Sequence, residues 1–157
     1  MNGFTGPLDE PLTSLVSLFN AGKADLPDGA LHKNCVFRLN GRAYHEHLGW
    51  PPSEPLVRLI GCGPAGYRFL LTALRYALPD AKVTLYGEHA TERRQGRDEV
   101  EVCQRAGLSG TLRGGHTPFH AECELTLRED LHGRVHEIAV TMGDPDVESI
   151  LAARRAD

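Results

Sequence analysis

The stretch Gly63-Pro64-Ala65-Gly66-Tyr67-Arg68-Phe69-Leu70-Leu71-Thr72-Ala73-Leu74-Arg75-Tyr76-Ala77-Leu78-Pro79-Asp80 decides the reading of this chain. Pro64 suits a first helical position, where its missing N–H leaves no bond unmade. Phe69, Leu70, Ala73, Leu74, Ala77 and Leu78 then recur at helical spacing, and Pro79-Asp80 stops the run. So apolar a helix must pack against something broad.

Downstream, the period changes from helical to strand-like. Val83 and Leu85 alternate within 81–89, and Val100 and Val102 within 99–106. Residues 95–98 read as a turn between these strands. Gly107 and Gly110 allow a bend, Pro118–Arg128 reads as a third strand, and Arg134–Met142 reads as a fourth. Asp144-Pro145-Asp146 opens a final helix whose acidic start and basic end suit the helix dipole.

Upstream, Leu8, Leu12, Leu15, Val16 and Phe19 mark an amphipathic helix ending at Ala21-Gly22. Pro27-Asp28-Gly29 is a break. Cys35–Leu39 is strand-like, and Asn40-Gly41 is a tight-turn signal that makes a small hairpin with Arg42-Ala43-Tyr44. Residues 45–55 hold Gly49, Pro51, Pro52, Pro55 and the sole tryptophan, Trp50, and read as a loop.

The fold class is therefore α+β, with N-terminal helices and one long helix covering a curved antiparallel sheet. A chain of 157 residues forms one domain, 1–157, and buries roughly 70% of its unfolded surface without needing metals or disulfides to fold. A net charge of −4 argues against nucleic acid as a partner, since phosphate binding wants a basic surface. The arginines are scattered, and the Arg93–Arg97 cluster runs into Asp98 and Glu99 as a solvated turn. No apolar run approaches the roughly 20 residues of a membrane span. Without a signal-peptide pattern, the chain is expected in the cytoplasm, with Cys35, Cys62, Cys103 and Cys123 as reduced, mostly buried thiols.

Three stretches together resemble the nuclear-transport-factor-2-like superfamily, and within it the SnoaL-like polyketide cyclases. They are residues 63–80, the strand Val100–Thr111 closing in Ser109-Gly110-Thr111, and Glu124–Arg128 followed by Gly133-Arg134-Val135-His136-Glu137. The resemblance covers roughly Leu8 to Val140. It implies a cone-shaped sheet with a pocket inside and a homodimer. Members include cyclases, ketosteroid isomerase-like proteins, epoxide hydrolases and dehydratases, and also proteins without catalysis, so fold alone does not assign the reaction. The sequence departs from the pattern at Ala139, where a tryptophan often stands, and at Glu124, where the cyclases carry aspartate.

The best candidate for chemistry is His120, Glu122 and Glu124. Period-two alternation puts all three on one side of one strand. A dry pocket would raise the pKa of one carboxylate of such a pair. Glu124 would then serve as general base, with His120 or Glu122 as its partner. Against this, Ala121, Cys123, Leu125 and Leu127 are the more natural core side, which turns the three outward unless a bulge flips the parity.

Tyr67, Tyr86 and Arg38 are candidate substrate-binding residues, with Tyr67 as an oxyanion donor. His45, His47 and Trp50 are candidates at a pocket mouth. His45-Glu46-His47 has no third ligand at a recognisable spacing, so no metal is assigned. His116 and His120 are four apart, but Pro118 keeps them off one helical face. Gly61–Gly66 looks like a nucleotide loop, yet Pro64 and the missing βαβ context read better as a helix start. The expected function is acid–base catalysis without cofactor on a small hydrophobic oxygenated molecule, as in a polyketide-type cyclase or isomerase. A non-catalytic small-molecule-binding or dimerisation module, and an epoxide hydrolase-like enzyme, are the alternatives.

Overall fold

A computed structural model describes residues 11–23, 30–47, 49, 62–87, 91–95, 99–115, 117–130 and 134–155. The expected break at 27–29 and most of the loop around Trp50 lie outside the described residues. The elements run α1 (Pro11–Asn20), β1 (Leu31–Leu39), β2 (Arg42–Ala43), α2 (Tyr44–His47), α3 (Gly63–Ala77), β3 (Lys82–Leu85), β4 (Thr91–Gln95), β5 (Glu99–Leu112), β6 (Thr117–Asp130), β7 (Val135–Met142) and α4 (Asp144–Arg155).

The strands form one curved, unclosed sheet in the order β2-β1-β7-β6-β5-β3, with β4 also pairing β5. All described pairings are antiparallel except β1 with β7, which is parallel. The expected curved antiparallel sheet is thus mostly antiparallel, with one parallel seam. No local signal encodes the pairing of the first strand with the last, because it joins distant parts of the sequence.

Alternation builds the inner face. One register row runs Phe37, Ile138, Leu127 and Val102 across β1, β7, β6 and β5. The next runs Leu39, Val140, Leu125 and Gln104. Leu12 and Leu15 of α1, Tyr67 and Leu71 of α3, and Val147 and Leu151 of α4 join these rows in a single core cluster. α3 packs on β1 and α4, and α1 on β3. The buried stripe of α3 is Gly63, Gly66, Tyr67, Leu71 and Ala77, so Phe69 lies beside the apolar stripe's deepest line.

Two turns need special backbone. Asn40 (φ 53) and Gly41 (φ 81) form the two-residue hairpin turn, with Leu39 opposite Arg42. The hairpin is short, because a helical turn begins at Tyr44, where the sequence read as continuing strand and loop. Gly63 (φ 66) starts α3 so close to β1 that a Cβ there would lie 2.5 Å from the Lys33 carbonyl oxygen. That contact, with the bridge between Val36 and Cys62, fixes where α3 meets β1.

β3 and β4 share one edge of β5, with β3 along Ala106–Ser109 and β4 along Glu99–Cys103. Gln104 spans the gap between them. It is the one buried polar residue among those described, and its Nε2 donates to the carbonyls of Tyr86 (3.1 Å) and Gly87 (3.2 Å).

Candidate acid–base site

β5 and β6 stay in unbroken register from Glu99–Asp130 to Leu112–Thr117. No bulge interrupts β6 near Glu124, so the parity of the strand is not flipped. Phe119, Ala121, Cys123, Leu125 and Leu127 are buried, and His120, Glu122 and Glu124 are exposed on the outer face. A position for these three inside the fold is thereby corrected. The physical reason is that the apolar half of the alternation has the stronger claim on the core.

His120 Nε2 stands 3.7 Å from Glu122 Oε2, but the two side chains are 56% and 60% exposed, too open for a dry site. Tyr86 joins them from across the strands. It lies over Gly107, where a Cβ would meet both the Tyr86 hydroxyl and His120 Cε1. Cover by its neighbours, then the hydrogen bond to Glu122 and that carboxylate's charge, hold the Tyr86 hydroxyl above its ordinary value, against the pull of Arg105. Three expected site residues thus come together, on the outside of the sheet.

Arg38 is also on the outer face. Its Nε lies 3.3 Å from Glu137 Oε1, and Glu137 and Glu101 both pair with Arg128, at 3.8 Å and 3.3 Å. The ladder occupies the Arg38 guanidinium in structural pairing. His47 Nε2 lies 2.7 Å from the Leu39 carbonyl oxygen and ties α2 to the end of β1. The side chain of His45 and all of Trp50 lie outside the described residues. Among the described residues, no group of three or more His, Cys, Asp or Glu side chains is placed to hold a metal ion.

Tyr67 alone of the described candidates lies inside. It is 9% exposed, and its hydroxyl oxygen is buried with no hydrogen-bond partner. Burial holds its hydroxyl above the ordinary value, opposed by Arg75. A buried polar atom left unpaired costs about 1–3 kcal/mol, so its position calls for an explanation.

A second such atom belongs to a residue that the sequence reading passed over. Glu129 continues the inward phase of Leu125 and Leu127, and sits opposite Val100 of β5 and Val135 of β7. Its Oε2 is buried without a partner. Burial, then the charges of Glu92 and Asp130, raise its carboxyl above the usual carboxylate range. The register of β6 and β7 slips beside it, between Arg128 and Glu129, making His136 the extra residue. His136 Nε2 is 3.2 Å from Asp130 Oδ2, and its ring stacks on His32 with centroids 4.5 Å apart. The available signal was the alternation 119, 121, 123, 125, 127, carried one step past Arg128, where the strand had been expected to end.

The cysteines offer no nucleophile in the core. Burial, then Glu137 and Cys62, push the Cys35 thiol up to about 12, and burial, then Glu122, pushes Cys123 up to about 11. All four cysteines are free.

No family model and no curated protein sequence matches the chain. Its fold does match solved structures. An NTF2-like protein of unknown function from Exiguobacterium sp. 255-15 superposes with a TM-score of 0.60 at 15% identity, over 85% of this chain and 98% of that one. A putative polyketide cyclase from Bacillus cereus ATCC 10987 gives a TM-score of 0.60 at 14% identity, over 91% and 78%. SalBIII, an epoxide hydrolase/cyclase-like enzyme of pyran ring formation in the polyether salinomycin, gives 0.57 at 15% identity, over 87% and 91%. At these identities the likeness concerns the fold, and it is the NTF2-like fold. Among the described residues, no helix is long and apolar enough to cross a membrane.

Proposed function

We propose that this NTF2-like chain is a cofactor-independent acid–base enzyme for a small, hydrophobic, oxygenated substrate. Its most concrete form is a polyketide-type cyclase or isomerase, working as a cytoplasmic homodimer. The observation that carries the reading is the Glu129 carboxyl, turned inward, unpaired at Oε2 and raised by burial. A carboxyl held that way exchanges a proton nearer neutral pH than an exposed one, as proton transfer next to a carbonyl requires. Tyr67, whose buried hydroxyl also has no partner, supplies an O–H donor for a developing oxyanion. Glu124, His120 and Glu122 have no part in this chemistry. The cyclase and epoxide hydrolase/cyclase-like neighbours support the same class of reaction.

One observation favours a second reading. The exposure of Glu122 and Glu124 suits a non-catalytic binding module on the same fold. Deuterium exchange at the α-carbon of a simple cyclic ketone, 1-tetralone, separates the two when followed by NMR in wild type and Glu129→Gln. Accelerated exchange that disappears in the variant supports the enzyme. Absence of exchange, with a Glu129 carboxyl titrating in the ordinary range, sinks it in favour of the module.

A further inference from the structure

β7 loses register with both of its neighbours at one residue, His136. On the β6 side, Arg128 faces Glu137 but Glu129 faces Val135, so His136 has no residue opposite it. On the β1 side, Leu31 faces Val135 and Val36 faces Glu137, so residues 32–35 lie against residue 136 alone. An uninterrupted β6–β7 ladder would instead put His136 directly opposite Glu129, with Cβ atoms about 5 Å apart. An imidazole there is within reach of the Glu129 carboxyl. Once protonated, it would pair with that carboxyl and favour its charged form.

Two partners hold His136 elsewhere. Asp130 Oδ2 lies 3.2 Å from His136 Nε2, and because a carboxylate only accepts, that nitrogen carries the proton and donates it. Asp130 is itself fixed in the turn. Its Oδ1 accepts the Arg134 N–H at 3.0 Å, and its own N–H donates to the Arg134 carbonyl at 3.0 Å. The His32 ring stacks on His136, with centroids 4.5 Å apart and planes 23° from parallel. His32 is set in turn by its Nδ1, which accepts the Asn34 N–H at 3.0 Å. The outcome is visible at Glu129. Its Oε2 is buried without a partner, and the charges that act on its carboxyl are those of Glu92 and Asp130, both negative.

We propose that Asp130 is a positioning residue: it captures His136 at the bulge and so keeps this imidazole off Glu129, whose carboxyl stays free for proton transfer. This rests on the acid–base reading of Glu129 and deepens it by naming what leaves the group unpaired. A carboxylate suits the task. A hydrogen bond to an ionised acceptor is roughly twice as strong as a neutral one, so a neutral residue at 130 would yield a protonated His136 to the glutamate. The His32 ring limits the swing of His136 from its other side.

The test compares wild type, Asp130→Ser and the double variant Asp130→Ser/His136→Phe, each as the full chain. Serine is too short to hold His136, and phenylalanine keeps the stack on His32 but cannot pair with a carboxylate. One readout is the NMR titration of the Glu129 carboxyl, and the other is α-proton exchange of 1-tetralone. In Asp130→Ser the Glu129 midpoint should fall and exchange should slow about tenfold or more. In the double variant the midpoint should recover in part, short of wild type only by the missing charge of Asp130. A midpoint that does not fall in Asp130→Ser, or that is the same in the single and double variants, overturns the proposal. If Asp130→Ser does not fold, Asp130→Asn with and without His136→Phe gives the same comparison, with a smaller fall and recovery. A wild type that does not accelerate exchange sinks the enzyme reading, while the midpoints still decide the role of Asp130.

Discussion

Asn40 and Met142 hold each other by two reciprocal hydrogen bonds. The Asn40 side-chain amide donates to the Met142 carbonyl, and the Met142 N–H donates to Asn40 Oδ1, both at 2.8 Å. Asn40 Nδ2 also lies 3.2 Å from Asp144 Oδ1. One residue thus makes the β1–β2 turn, latches it to the end of β7 and touches the start of α4. Asn40→Ala loses this latch and the residue type that tolerates positive φ. A destabilisation of about 2–4 kcal/mol should follow in urea unfolding. Asn40→Gly keeps the turn and loses only the latch, so it should cost about half as much.

Glu129→Gln should stabilise the protein at neutral pH while removing activity. The Glu129 carboxyl titrates higher in the folded chain than in the unfolded one, whose glutamates titrate near 4.3. Between those two values the folded state holds more protons. Stability therefore falls as pH rises through that window, and the penalty is fully present above it. Wild type and variant should have similar Tm values below about pH 4 and diverge as pH rises, with the variant higher. Asp80 behaves oppositely. The backbone hydrogen bond from Thr111 is the largest cause holding it low, so its contribution is lost as pH falls. Asp80 is common to both proteins and cancels in the comparison. A variant that melts below wild type at pH 8 would show that Glu129 is paired after all.

Tyr67→Phe removes a buried hydroxyl that has no partner. Its Tm should be equal to or above that of wild type, since the lost group made no hydrogen bond. Ketone exchange should fall roughly 10²-fold or more, the size of effect that loss of one oxyanion donor produces. A stable variant with full exchange would assign the hydroxyl no role in the chemistry.

The thiols should label in two groups. Cys35 and Cys123 are buried and pushed up to about 12 and about 11, whereas Cys62 and Cys103 are half-buried. Iodoacetamide at pH 8, followed by mass spectrometry, should modify Cys62 and Cys103 first. Cys35 and Cys123 should react only on unfolding. Early modification of Cys35 would mean that the contact of α3 with β1 opens readily.

Much of the fold is legible in local signals. The proline start of α3, the Asn40-Gly41 turn and the alternation of β5 and β6 each carry their own instruction. β4 was missed because Thr91-Glu92-Arg93-Arg94-Gln95 has no apolar alternation, and such a strand is held by its backbone pairing with β5. The candidate site was half legible. Alternation sent His120, Glu122 and Glu124 outward, and the family likeness drew them inward, with only the uninterrupted register to decide between them. Glu129 was hidden by its position at the end of a strand, where propensity fades but the pleat continues.

The parallel seam between β1 and β7 has a consequence for how the molecule comes into being. β1 cannot meet β7 until about a hundred further residues exist. During synthesis, residues 31–39 leave the ribosome as a strand apolar on one face, whose β7-facing edge is open, long before residues 135–142 appear. Contacts so distant in sequence are slow to form, and an open strand edge invites pairing with other chains. The hairpin at Asn40-Gly41 can close early and shield the other edge at Arg38 and Leu39. A nascent chain stalled before Val135 therefore carries two open strands, β1 and β6, and aggregation is most dangerous in that interval.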